Sequence, residues 1–144
     1  MIARAALLAL ALATPALAQQ QVIVTPNSPE AIGPYSQAIR VGNTLYLAGQ
    51  IALDPATNQM IADRTIEAET RRVLDNLKAV VEAAGFRMSD IVSTTVFMAD
   101  LNEFARMNAV YATYFPSNPP ARATVQAARL PRDVKIEIAA IAAR

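Results

Sequence analysis

The side chains that most often carry catalysis are missing from this sequence, because it contains no histidine and no cysteine. Histidine is the usual general base near neutral pH, and the cysteine thiolate is the usual sulfur nucleophile and a soft metal ligand. The acidic residues are scattered, and the sequence has no calcium loop, phosphate-binding loop, dinucleotide fingerprint or serine-hydrolase motif. We therefore expect no metal dependence, and any chemistry has to come from the remaining polar residues.

Two charged residues stand in strand-like segments where packing alone would not place them. Arg122 follows two prolines and an alanine and opens an apolar run, so its guanidinium could be presented at a strand end for bidentate contact with a carboxylate. Glu137 stands between Ile136 and Ile138, and the two-residue period of a strand puts it on the face opposite those isoleucines. The alternative interpretation is a surface arginine and an exposed strand glutamate.

Two further polar side chains are candidates with a weaker signal. Tyr35 follows Gly33 and Pro34 in a turn, and Asn108 lies in a helical segment. A tyrosine in a turn usually serves packing, and an asparagine in a helix is usually solvated. On the residues alone, a structural role and a role in a binding site both stay open for these two side chains.

Hydrophobic patterns predict the strands and the first helix that hold these residues. Gly42 and Asn43 separate two strand-like runs and predict a tight hairpin turn with positive φ angles. A helical pattern begins at Thr65, and Gly85 is its C-terminal stop. The strand-like runs are 22–24, 38–41, 44–48, 91–98, 122–128 and 134–142.

A second helix and the element order complete the predicted fold. Asp100 and Glu103 resemble a capping box at the helix start. We expect the folded domain to begin near Ala31, with the run at 22–24 as an edge strand of an entry arm. The main order ββαβαββ predicts an α+β fold with a mixed sheet and both helices on one face. The apolar stripe of the second helix, interpreted as core, consists of Phe104, Met107, Tyr111 and Tyr114.

The first 18 residues have the three-part pattern of a secretory signal peptide. Arg4 precedes an Ala/Leu run, and the triplet Ala16, Leu17, Ala18 is typical of a cleavage site. The apolar run is shorter than the roughly 20 residues that a membrane-spanning helix needs. We expect cleavage after Ala18, export to the periplasm or beyond, and no membrane span afterwards.

The remaining chain, residues 19–144, has the size and charge of one small domain. The whole sequence has 13 basic and 12 acidic residues, and removal of Arg4 leaves 12 of each. Such a balance lacks the concentrated positive field that drives nucleic-acid binding, so we expect no nucleic-acid partner. Without cysteine there can be no disulfides, and we expect packing and self-association to supply the stability.

Six segments resemble successive signatures of the RidA family of imine deaminases, in family order and across nearly the whole domain. They are residues 31–37 (AIGPYSQ), 48–51 (AGQI), 76–85 (NLKAVVEAAG), 94–97 (TTVF), 120–125 (PARATV) and 128–138 (ARLPRDVKIEI). Six matches in register are far more specific than any single short motif. The resemblance implies a chorismate-mutase-like α+β domain over 19–144, assembled as a homotrimer with sites between subunits.

The resemblance also implies an activity and a set of site residues. Family members hydrolyse reactive 2-imino or enamine acids, such as 2-aminoacrylate, 2-iminopropanoate and 2-iminobutanoate, to the 2-oxo acid and ammonia, without a cofactor. Arg122 would hold the substrate carboxylate, and Glu137 would assist the attacking water. A protonated imine is already electrophilic, so positioning and electrostatics suffice. The implied substrate-binding residues are Tyr35, contributed by a neighbouring subunit, Gly49, Asn108 and Thr124.

Three departures from the common family pattern bear on specificity. Ala48 and Ala139 stand where many members have Ser and a second acidic residue, and Thr124 replaces a Cys found in some members. Two other functions remain open at this point. One is a non-enzymatic trimer that binds small carboxylates or exported proteins, and the other is ribonuclease or translation inhibition.

Overall fold

A computed structural model describes residues 19–144 as one six-stranded sheet with two helices. The signal peptide predicted for 1–18 lies outside the described residues. The elements are β1 (Gln20–Ile23), β2 (Ala38–Val41), β3 (Thr44–Gln50), α1 (Ile66–Ala83), β4 (Ile91–Met98), α2 (Phe104–Tyr114), β5 (Ala121–Gln126) and β6 (Ile136–Ala143).

The strands lie in the order β1-β2-β3-β6-β4-β5, so the last strand of the chain is inserted at the centre of the sheet. β4 and β5 are parallel, and every other neighbouring pair is antiparallel. The predicted mixed α+β architecture is therefore confirmed. No helix within 19–144 is both long enough and apolar enough to cross a membrane.

Two details at the start of the sheet differ from the sequence-based expectation. β1 pairs with β2 from Gln20↔Val41 to Ile23↔Ala38, so the edge strand expected at 22–24 is present and the sheet already includes Gln20, ahead of the start expected near Ala31. In the hairpin turn only Gly42 has a positive φ, of 57°, and Asn43 does not. A single glycine in that conformation is enough to reverse the chain here.

Local chemistry marks both ends of α1, whereas Asp100 caps a short 3-10 turn, Leu101–Glu103, that precedes α2. Thr65 caps α1 by accepting a hydrogen bond from the Ala68 N–H at 3.3 Å, and Gly85 follows the helix with a φ of 78°. Before α2, Asp100 accepts from the Asn102 N–H at 2.8 Å. The predicted capping box is only half formed.

The missing half of that box has a long-range cause. Glu103 does not reach back to the helix start, because its carboxylate is paired with the Lys135 ammonium at 2.9 Å. The predicted core stripe of α2 also needs correction. Met107 and Tyr111 are buried, and Tyr114 packs partly buried against the same core while its hydroxyl donates to Asp75 of α1 at 2.7 Å, but Phe104 is exposed.

β6 shows how the sheet separates a packed face from an open face. Ile136, Ile138 and the alanines at 140 and 142 are buried in the main core with α1 and α2, whereas Glu137 and Ala139 point to the other side. This alternation follows from the pleat of a strand. The core holds both helices against one face of the sheet, as the sequence predicts.

Buried polar side chains fix the loops that flank the sheet. The Gln37 amide donates to the backbone oxygens of Thr25, Ser28 and Pro29 and accepts from the Thr25 N–H, so it holds the arm between β1 and β2. The Asn76 amide of α1 donates to backbone oxygens just after β3. Each amide replaces the water that these backbone groups would lose on burial.

A buried carboxylate fixes the turn that precedes β6. Glu69 of α1 is fully buried, and it accepts a hydrogen bond from the Arg64 guanidinium and another from the Lys135 N–H at 2.7 Å. Arg64 also donates to the backbone oxygen of Asp133 at 2.9 Å. The start of the strand that carries Glu137 is therefore anchored to α1.

Candidate functional site

Arg122 lies on the helix side of the sheet, over the aromatic face of α2. The parallel register pairs it with Thr94 of β4, a buried residue that points toward the helices. The guanidinium carbon lies 4.6 Å from the centre of the Tyr111 ring and 5.6 Å from that of Phe104. Both distances are within the range of cation–π attraction.

The space in front of Arg122 is a cavity of about 510 Å³ whose lining contains no acidic residue. Within residues 19–144, Arg122 forms no salt bridge. An arginine that is held in place but has no carboxylate partner is free to bind an anionic ligand in bidentate fashion. The lining residues are Asn108, Tyr111, Ala112, Phe115, Pro119, Pro120 and Arg122.

Two of the predicted binding residues accompany Arg122. Asn108 lines the same cavity from α2. Thr124 lies two positions along β5, on the same face, and its Oγ1 is buried without a hydrogen-bond partner in the described part of the chain. A buried hydroxyl without a partner is uncommon, and it is available to a bound ligand or a neighbouring subunit.

Glu137 and Gly49 form a second cluster on the opposite face of the sheet. A Cβ atom added to Gly49 would overlap Oε1 of Glu137 and lie 2.9 Å from its Cδ. The carboxylate therefore rests directly on the glycine backbone, which only a residue without a side chain permits. Burial raises the pKa of Glu137 above its ordinary value.

Tyr35 is separate from both clusters within one chain. Its ring is exposed, and its hydroxyl accepts a hydrogen bond from the Ile32 N–H at 3.2 Å. It lines a depression of about 370 Å³ in the arm that Gln37 holds. The predicted residues thus form one group around Arg122, a second around Glu137, and an isolated tyrosine.

Sequence reasoning missed the aromatic surroundings of Arg122. Phe104, Asn108, Tyr111 and Phe115 are spaced by four, three and four residues, which puts them on one helical face. The spacing is visible in the sequence, but it predicts core packing for the aromatic residues. Nothing local indicates that β5 brings an arginine against them.

No metal-binding group accompanies these clusters. Within the part of the chain that the structure describes, no three Asp, Glu, His or Cys side chains come together in an arrangement that could hold a metal ion. The groups that the described residues supply are the Arg122 guanidinium, the Glu137 carboxylate of raised pKa and the buried Thr124 hydroxyl.

Comparison with known proteins identifies the family of this chain. The family model described as Endoribonuclease L-PSP matches residues 25–144. The 2-iminobutanoate/2-iminopropanoate deaminase of Escherichia coli is 51% identical over 127 residues, covering 86% of this chain and 98% of that protein. The chain belongs to the RidA family. Membership places it among the reactive-intermediate deaminases.

Other RidA-family relatives extend the comparison. A RutC family protein of Pyrococcus horikoshii is 52% identical over 123 residues, covering 85% of this chain and 97% of that protein. The crystal structure of the YjgF gene product of E. coli has a TM-score of 0.81 at 51% identity and covers 86% of this chain and 98% of its own. E. coli TdcF, solved with bound serine, has a TM-score of 0.82 at 45% identity, with the same coverage.

The contact between Gly49 and Glu137 in this RidA-family chain gives a testable prediction. In Gly49→Ala the new methyl group should push the carboxylate outward into water, and the pKa of Glu137 should fall toward its ordinary value. NMR titration of the carboxyl carbon measures the change. The control is Gly33→Ala, because a Cβ there meets nothing closer than 3.5 Å. Equal Glu137 titrations in the two variants would contradict the contact.

Proposed function

We propose that this protein hydrolyses 2-imino acids such as 2-iminopropanoate and 2-iminobutanoate to 2-oxo acids and ammonia. The observation that carries the proposal is Arg122, whose guanidinium lies over aromatic rings in a cavity without acidic lining residues and has no ion-pair partner among residues 19–144. A 2-imino acid supplies the carboxylate that such a group selects. The deaminase name of the E. coli relatives and the serine bound to TdcF support the same ligand class.

We infer that the working form is a homotrimer with its sites between subunits. Within one chain, Arg122 and Glu137 lie on opposite faces of the sheet, so one subunit holds two half-sites rather than one complete site. A second copy can bring its Arg122 half beside the Glu137 half. Exposed apolar side chains on the sheet support such packing. They are Tyr46, Val125 and Ile141.

The groups present suffice for the reaction without a covalent intermediate. Arg122 holds the substrate carboxylate, and the ionised Glu137 accepts a proton as water adds to the imine carbon. The resulting carbinolamine carries a hydroxyl and an amino group on one carbon. Protonation of the nitrogen and loss of the hydroxyl proton release ammonia and form the carbonyl. Positioning and charge complementarity provide the acceleration.

Removal of the guanidinium should abolish catalysis. In Arg122→Ala, kcat/KM for 2-iminopropanoate should fall at least about 100-fold, because the substrate carboxylate loses its charged partner. Pyruvate and ammonia release, with the imine generated in situ by an amino-acid oxidase, measures the loss. The control is Arg87→Ala, which alters an arginine that is 82% exposed.

The possible outcomes of this assay separate the alternative functions. Acceleration by the natural protein and by Arg87→Ala, but not by Arg122→Ala, supports the deaminase. Pyruvate binding without turnover would favour the non-enzymatic carboxylate-binding trimer. RNA cleavage that survives Arg122→Ala would favour the ribonuclease that the family model's description names.

The raised pKa of Glu137 predicts a specific pH dependence. Glu137 accepts a proton only when ionised, so kcat/KM should rise with pH through the raised pKa of this carboxyl, above the range of an ordinary glutamate. Stopped-flow rates between acidic and neutral pH measure the profile. Glu137→Gln should lose both the acid limb and most of the rate. An acid limb that persists in that variant would assign it to another group.

We further propose that the protein is exported and that a leader is removed after Ala18. The supporting observation is the order of Arg4, an Ala/Leu run and a small-residue triplet, all of which precede the family match at residue 25. Edman sequencing of protein recovered from the periplasm should begin at Gln19. A sequence beginning at Met1 would refute cleavage.

A further inference from the structure

We propose that Tyr111 and Phe104 are positioning residues that hold the Arg122 guanidinium in the plane required to grip the substrate carboxylate. We call these two rings the aromatic seat. The inference rests on the proposed function. It adds two residues that position Arg122 and take no part in the reaction itself. Its basis is the placement of one guanidinium within 4.6 and 5.6 Å of two ring centres.

The aromatic seat can hold Arg122 in place without occupying the N–H donors that bind the substrate. An unrestrained arginine side chain samples many rotamers, and ordering it costs entropy at the moment of binding. A carboxylate partner would fix the side chain, but it would also occupy the N–H donors that the substrate needs. Ring faces attract the cation through their quadrupole and leave the N–H donors at the guanidinium edge free.

Tyr111 is itself held rigidly, so it can define an orientation. Its hydroxyl forms a 2.7 Å hydrogen bond with Thr94 Oγ1 in a buried environment. The Phe115 ring packs beside the Tyr111 ring, with centres 4.7 Å apart and planes tilted by 37°. A tyrosine is uncharged at neutral pH, and burial raises the pKa of Tyr111 further, so the phenol does not compete with the substrate as an anion.

The backbone places all of these groups in one subunit. Phe104 and Tyr111 are seven residues apart on α2, which is two helical turns and therefore one face. Thr94 is the β4 partner of Arg122 in the parallel register. The hydrogen bond between Thr94 and Tyr111 therefore ties the helix to the neighbouring strand at the level of the arginine. The seat is complete before any second subunit arrives.

The first experiment compares ligand affinities in variants of the seat. Pyruvate and its neutral analogue pyruvamide are titrated into the natural trimer, Tyr111→Leu and Tyr111→Phe, with binding followed by NMR. Tyr111→Leu removes the ring and should weaken pyruvate binding about tenfold, within the range of a desolvated cation–π contact. Pyruvamide binding should change less than about twofold, because it lacks the charge that Arg122 grips. Tyr111→Phe keeps the ring and should retain most of the affinity.

The matched control is Tyr114→Leu, in the same helix. Tyr114 contacts α1 through Asp75 and does not touch Arg122, so its loss tests for general damage to α2. In steady-state assays, Tyr111→Leu should raise KM about tenfold with little change in kcat, since the carboxylate grip is made in both ground and transition states. Tyr114→Leu should leave KM unchanged. Equal losses of pyruvate and pyruvamide affinity in Tyr111→Leu would overturn the inference.

The second experiment does not depend on turnover. The Arg122 Nε–H resonance, assigned by its loss in Arg122→Lys, should show a ring-current shift in the natural protein and in Tyr111→Phe. The shift should shrink in Tyr111→Leu and in Phe104→Leu. If the natural protein fails to deaminate imines while these shifts and the pyruvate selectivity hold, the proposed function fails and the seat stands. Unchanged shifts, or turnover with unchanged pyruvate affinity, would refute the seat alone.

Discussion

Alternation of side chains across a single central strand is the constraint on which the rest of this structure depends. β6 lies between β3 and β4, and each of its residues must point either into the core or away from it. The isoleucines on one side pack under the helices, and this fixes Glu137 on the other side. A register slip of one residue would bury the carboxylate and expose the core. The register of β6 therefore sets both the position of Glu137 and the packing of the core.

Much of the fold could be read from the sequence because its signals are local. β4 was predicted with the bounds that the structure shows, since its run is rich in β-branched residues and contains no glycine or proline. Thr65 and Gly85 mark the ends of α1 through capping and a positive φ, both properties of single residues. An edge strand was expected at 22–24, but its extension to Gln20 could not be predicted, because the pairing of Gln20 with Val41 joins segments about 20 residues apart.

Single candidate residues could be named from the sequence, but their arrangement could not. Periodicity gave the face of Glu137, and a charge at the start of an apolar strand marked Arg122. Neither signal shows that α2 lays Tyr111 against the arginine, because that contact depends on how a helix packs on a parallel strand pair. The half-formed capping box has the same origin: Glu103 has a local partner in the sequence and a distant one, Lys135, in the fold.

β5 is an edge strand, and it carries Arg122 and Thr124. An edge strand presents a row of backbone groups that another chain can pair with, which makes a lone subunit prone to aggregation. The strand that carries the proposed carboxylate-binding arginine is therefore also an unpaired edge of the sheet. Under the proposed trimer, a variant that weakens association would leave this edge open to unwanted pairing before it alters any rate. Loss of soluble protein would then precede any defect in chemistry.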